Sequence, residues 1–139
     1  LYLSPEIPRL IGQHAREMVA KVADAASIAC WAIHPGGKAI IDAVQETLGL
    51  SDGMTEPSRK ILRQYGNMSS ATILFVLQEL KRRFIDGEAA EMRGMALAFG
   101  PGLTLEMAKL TFVRRSGDGL ADGEGFTTGD RPASERVLT

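Results

Sequence analysis

His34 stands at the end of a short apolar run, Ile28 to Ile33, and is followed at once by Pro35-Gly36-Gly37. An imidazole at the carboxyl end of a strand occupies the place where open α/β sheets present reactive groups, and it can donate, accept or transfer a proton near neutral pH. The structural alternative is a part-buried histidine bonded to nearby backbone. Gly36 and Gly37 would let a ligand come close to the chain, and a helix start behind them favours an anion, although glycine pairs also serve as plain turns. Asn67 lies between Gly66 and another helix start. Its amide can donate two hydrogen bonds to a developing oxyanion, or it can be an asparagine that accepts the left-handed backbone of a helix terminus. Gly100-Pro101-Gly102, taken alone, is a hairpin turn.

Cys30 is the single cysteine. On one strand it would sit about 13 Å from His34, at roughly 3.3 Å per residue, beyond proton-transfer reach. Cys30 therefore reads as core, and a Cys30, His34, Asn67 hydrolase centre is the weaker enzyme hypothesis. Two separated histidines and this cysteine form no metal-ligand pattern, so no metal site is expected. One cysteine also excludes an internal disulfide, which fits a reducing, cytoplasmic setting.

The elements that must hold these residues follow from periodicity. Ile7, Leu10, Ile11, Met18, Val19 and Val22 recur every three or four residues, predicting an amphipathic helix from Glu6 to about Val22 with Pro8 in its first turn. Ile28 to Ile33 reads as a strand covered on both faces. Ile40, Ile41, Val44 and Leu48 predict a second helix that Gly49 stops. A third is expected from Thr55 as cap, with Pro57 in the first turn, to Tyr65. A fourth, capped by Ser69 or Ser70, carries Ile73, Val76, Leu77, Leu80 and Phe84 and ends at Asp86-Gly87. Gly94 to Phe99 and Leu103 to Val113 predict a hairpin.

The 26 residues from Arg114 to Thr139 contain five Gly, one Pro and nine charged residues, too little apolar surface to pack, so a disordered tail is expected there. That leaves one domain over residues 1–113. Three strands with four helices make an incomplete layer, and Leu1 opens inside an extended segment, so a first strand and more are expected to precede it. The formal charge of −1 over 139 residues offers no field for nucleic acid, and no apolar run approaches the ~20 residues of a membrane span.

Taken together the motifs are far more specific than each alone. His34-Pro35-Gly36-Gly37, Tyr65-Gly66-Asn67-Met68-Ser69-Ser70 and Phe99-Gly100-Pro101-Gly102-Leu103-Thr104, in this order and with helices between, resemble the carboxyl-terminal half of type III polyketide synthases, the chalcone and stilbene synthase family. The resemblance takes in Leu1 to Val113. It implies a thiolase-like α/β fold: two similar halves, each a mixed sheet covered by helices, paired as a homodimer. It further implies an acyltransferase that condenses malonyl-coenzyme A onto an acyl-coenzyme A starter, using coenzyme A thioesters as substrates and no cofactor. His34 and Asn67 match the family's catalytic histidine and asparagine. Gly36, Gly37 and Ala39 match positions beside coenzyme A, while Ser69, Phe99 and Pro101 match positions that line or shape the elongation cavity. Leu1 stands where many members carry a gatekeeping phenylalanine, and Ala98 replaces the usual first glycine of the last motif.

The family's nucleophilic cysteine belongs to the amino-terminal half. The chain as it stands is therefore expected to be inactive alone, and a non-catalytic truncated half-domain is one alternative. The other is the chain-initiating 3-ketoacyl synthase of fatty-acid synthesis, where Gln-Ala-Asn usually follows the histidine and a Gly-Gly-Gly run replaces the late loop. Pro35-Gly36-Gly37 and Pro101-Gly102 favour the polyketide reading.

Overall fold

The computed structural model describes residues 6–115. The expected gatekeeper position Leu1 and the expected tail beyond Arg115 lie outside the described residues. Four helices and three strands follow one another as α1 (Glu6–Val22), β1 (Cys30–Ile33), α2 (Lys38–Leu48), α3 (Asp52–Tyr65), α4 (Thr72–Asp86), β2 (Glu91–Gly100) and β3 (Thr104–Val113). The sheet order is β1-β2-β3, with β1 parallel to β2 and β2 antiparallel to β3. It is the mixed sheet that the resemblance implies.

Strand alternation divides the core into two layers, because successive side chains point to opposite faces. Trp31 and Ile33 of β1, with Met95 and Leu97 of β2, pack against Ala15 and Val19 of α1 and Ile41 and Val44 of α2. Cys30 and Ala32 face the other way, toward Ile61 of α3 and Val76 and Leu80 of α4. All four residues of β1 are buried, which is why its sequence is a continuous apolar run rather than an alternating one. Burying a side chain such as Ile33 or Ile41 completely contributes about 1.5–3 kcal/mol against leaving it exposed. Gly12 permits α1 to lie directly on α2: a Cβ there would stand 2.4 Å from Thr47 Oγ1 and 2.9 Å from the Ala43 carbonyl.

Several boundaries differ from expectation for physical reasons. The strand begins at Cys30 rather than Ile28, since Asp24 caps a 3₁₀ turn at Ala25–Ser27 and pairing with β2 starts at Cys30 opposite Gly94. Helix α3 begins at Asp52, three residues before the expected cap. Asp52 puts an acid at the positive helix end and accepts from Gln45 Nε2 at 2.7 Å. Thr55 is consequently inside the helix and fully buried, joined to Gln45 Oε1 at 2.9 Å and to Arg59 Nε at 3.1 Å. Pro57 is the sixth helical residue, not a first-turn one. Neither Ser69 nor Ser70 caps α4; a 3₁₀ turn at Ser69–Ala71 leads into it. Gly49 does end α2, in the left-handed conformation at φ 64°. Both hairpin strands are as long as the pairing from Glu91–Val113 to Gly100–Thr104 allows. Arg114, the first residue of the expected tail, is anchored: its guanidinium donates to the Phe84, Ile85 and Gly87 carbonyls at the end of α4 and lies 5.6 Å from the Phe84 ring centroid.

Candidate active site

Strand parity decides where His34 goes. As the next residue after Ile33 it continues the Cys30, Ala32 face, toward α3 and α4. Its backbone N–H donates to the Leu97 carbonyl at 2.7 Å, prolonging the β1–β2 ladder by one residue. Two further bonds brace this strand end. Ser58, fully buried on α3, accepts the Ile33 N–H at 3.0 Å on the edge of β1 that faces away from β2, and the Gly36 N–H returns to the His34 carbonyl at 2.9 Å.

Asn67 arrives from the loop between α3 and α4. Gly66 turns the chain out of α3 at φ 69°, a backbone angle that glycine adopts without steric cost. The carboxamide then bridges two loops: its Oδ1 accepts the Ser69 N–H at 2.8 Å and its Nδ2 donates to the Gly36 carbonyl at 3.2 Å. Gly36 is two residues beyond His34. One amide hydrogen of Asn67 is thus committed to the histidine loop, leaving the other to serve a ligand.

His34, Asn67, Ser69, Phe99 and Pro101 line one cleft of about 580 Å³, whose wall also includes Glu106 of β3. The cleft lies at the carboxyl end of β1, and Gly100 and Pro101 of the hairpin loop line it too. Burial pushes the His34 imidazole below its ordinary pKa of 6.5, so at neutral pH it is uncharged and presents one N–H donor and one acceptor. Of the remaining motif residues, Gly36 does not line the cleft and is joined to it only by accepting from Asn67, Gly37 is the N-cap of α2, and Ala39 lines a separate groove of about 800 Å³ between α1 and α2, beside Arg9 and Arg16.

Cys30 takes no part. Its side chain is buried at the opposite end of β1, its Sγ lies 3.8 Å from the Arg93 carbonyl, and burial pushes its pKa up to about 11. A neutral, hydrogen-bonded thiol is a poor nucleophile. Among the described residues no helix is long and apolar enough to cross a membrane. Motif reasoning missed Ser58 and Thr72, the buried hydroxyls that brace the two loops; the available signal was a small polar residue at a helix position otherwise facing the core.

A mixed sheet thus lies between two helical layers, with an imidazole and a carboxamide lining one cleft at a strand end. The comparisons supply the family. Residues 1–114 match the C-terminal domain of chalcone and stilbene synthases. Among solved structures, PKS-I of the brown alga Ectocarpus siliculosus is similar with a TM-score of 0.70 and 31% identity, over 81% of this chain and 32% of that one. A point mutant of CsyB is similar with a TM-score of 0.70 and 29% identity, over 79% of this chain and 32% of that one. The chain belongs to the chalcone and stilbene synthase family of type III polyketide synthases, as its C-terminal domain. It spans about a third of the length of these relatives, and the family assignment sets aside the fatty-acid ketoacyl synthase.

Proposed function

We propose that this domain supplies the decarboxylation and condensation half of a polyketide synthase active site, with His34 and Asn67 as the catalytic pair. The observation that carries this is the bond from Asn67 Nδ2 to the carbonyl of Gly36, which ties the asparagine to the histidine loop above one shared cleft. Malonyl-coenzyme A loses carbon dioxide when its carbon–carboxylate bond breaks and the electron pair passes into the thioester as an enolate. His34 and Asn67 donate to that oxygen as its charge develops, which favours the transition state over the substrate. The enolate carbon then attacks an acyl thioester held by a cysteine, and the thiolate leaves. That cysteine comes from an amino-terminal partner half; His34, when close to it, accepts its proton and stabilises the resulting ion pair.

On this reading the backbone at Gly36, Gly37 and Ala39 lies along the coenzyme A arm, and Ser69, Phe99 and Pro101 shape the room for the growing chain. The assembled enzyme is a homodimer acting in the cytoplasm, taking acyl- and malonyl-coenzyme A as substrates and needing no metal or organic cofactor. The test is product formation. Purified chain with malonyl-coenzyme A and an acyl-coenzyme A starter yields no sustained ketide, whereas the polypeptide that carries this domain together with a cysteine-bearing half does. Turnover by the chain alone would contradict the proposal, as would an inactive assembled protein that binds both thioesters.

A further inference from the structure

Ser69 holds φ 61°, and it is the one non-glycine residue with positive φ among those described. A side chain in that left-handed region is strained, and such strain persists only where the surroundings over-determine it. Here they do so through one hydroxyl. Thr72, fully buried as the first residue of α4, accepts the Met68 N–H at 2.8 Å and donates to the Ser69 carbonyl at 2.8 Å. It therefore holds the Asn67–Met68 peptide by its N–H and the Ser69–Ser70 peptide by its carbonyl, one on either side of the peptide that carries the Ser69 N–H. The Ser69 N–H, aimed by this geometry, donates to Asn67 Oδ1 at 2.8 Å, and that bond fixes the rotation of the carboxamide whose nitrogen reaches Gly36.

We propose that Thr72 is a positioning residue for Asn67: its hydroxyl, through the Met68 N–H and the Ser69 carbonyl, sets which way the amide donor of Asn67 points. The inference rests on the role proposed above for Asn67, but the chain of bonds stands without it. Remove the hydroxyl, and Ser69 relaxes toward negative φ. Its N–H then turns from Asn67 Oδ1, and the amide is held only by its bond to the Gly36 carbonyl. A serine would retain both hydrogen bonds; a valine of nearly the same shape would retain neither.

The experiment compares Thr72→Val, Thr72→Ser and the parent by two readouts. In the purified 139-residue chain, amide exchange of Ser69 and the side-chain NH₂ resonances of Asn67 are followed by NMR. The expected result for Thr72→Val is at least tenfold faster Ser69 exchange, with the two Asn67 NH₂ proton shifts drawn together, while Thr72→Ser stays within twofold of the parent. Should Thr72→Val not fold, Thr72→Ala against Thr72→Ser gives the same comparison. In the assembled enzyme, malonyl-coenzyme A decarboxylation by Thr72→Val is expected to fall about tenfold in kcat with KM unchanged, restored by serine. Unchanged Ser69 exchange and Asn67 resonances would overturn the proposal whatever the turnover. Altered resonances with full kcat, or a loss confined to KM, would overturn the catalytic consequence. A parent that fails to decarboxylate would instead count against the proposed function, with the NMR comparison still deciding the positioning.

Discussion

Gly94 offers a sharp test of how β1 is held, and so of where His34 is put. It sits opposite Cys30 in the β1–β2 register, and a Cβ there would lie 2.5 Å from Cys30 Sγ, 3.0 Å from the Cys30 carbonyl and 3.4 Å from Leu110 Cβ. The first distance falls about 1 Å short of an ordinary contact, and the second involves backbone that cannot swing aside. Overpacking of this kind costs about 1–3 kcal/mol, offset by about 0.4–1 kcal/mol from restricting the unfolded chain. Gly94→Ala is therefore expected to lose about 1–2 kcal/mol, roughly 4–10 °C in Tm for a domain of this size. Cys30→Ala removes the closest obstacle. In a double-mutant cycle followed by urea denaturation, the pair should be at least ~0.5 kcal/mol more stable than the sum of the single losses. Parent-like stability of Gly94→Ala, or strict additivity, would refute the close approach.

Two other perturbations probe charges. Glu79 is buried on α4 among Arg82, Arg83 and Lys60 at 2.9–3.0 Å; hydrogen bonds from Arg82 first, then Arg83 and Lys60, hold its carboxyl at about 2 against the burial that would raise it. A carboxyl depressed in the folded state stabilises fully above its ordinary value near 4.5 and loses that contribution as pH falls toward 2. Glu79→Gln should accordingly cost about 1–3 kcal/mol at pH 7, and the gap to the parent in urea melts should narrow steadily below pH 4.5; a constant gap would contradict the pairing. His34 has the opposite chemistry. Because burial lowers its pKa, its Cε1 proton should titrate below 6.5, and folding should lose stability as pH falls from about 6.5 through that lower value. A midpoint above 6.5, or an unchanged stability difference between parent and His34→Gln from pH 7.5 to 5.5, would contradict the neutral, part-buried imidazole.

Helices α1, α2 and α4 were legible because their apolar spacing is regular, and α2 and α4 also end at a glycine, Gly49 and Gly87. The strand β1 was legible because a run covered on both faces needs no alternation. The start of α3 was not, since Thr55-Glu56-Pro57 imitates a capped first turn while the true start at Ser51-Asp52-Gly53 contains a glycine that argues against a helix. The anchoring of Arg114 was also hidden, because its partners are backbone carbonyls some thirty residues away. For the candidate site, His34, Asn67, Ser69, Phe99 and Pro101, which line the cleft, were readable as motifs; the hydroxyls that brace their loops were not. The partner of Ser58 is the Ile33 N–H, 25 residues away in sequence, and Thr72 meets its own, three and four residues back, only once the turn before α4 has formed.

The most direct measurement is malonyl-coenzyme A decarboxylation in the assembled enzyme across a cycle of His34→Ala, Asn67→Ala and the double variant. If both groups donate to one thioester oxygen, each single loss should be about 10²–10³-fold, and the double should fall well short of their product, as for residues acting as a unit. A parent-like rate in either single variant, or losses that multiply as independent factors, would contradict the shared oxyanion.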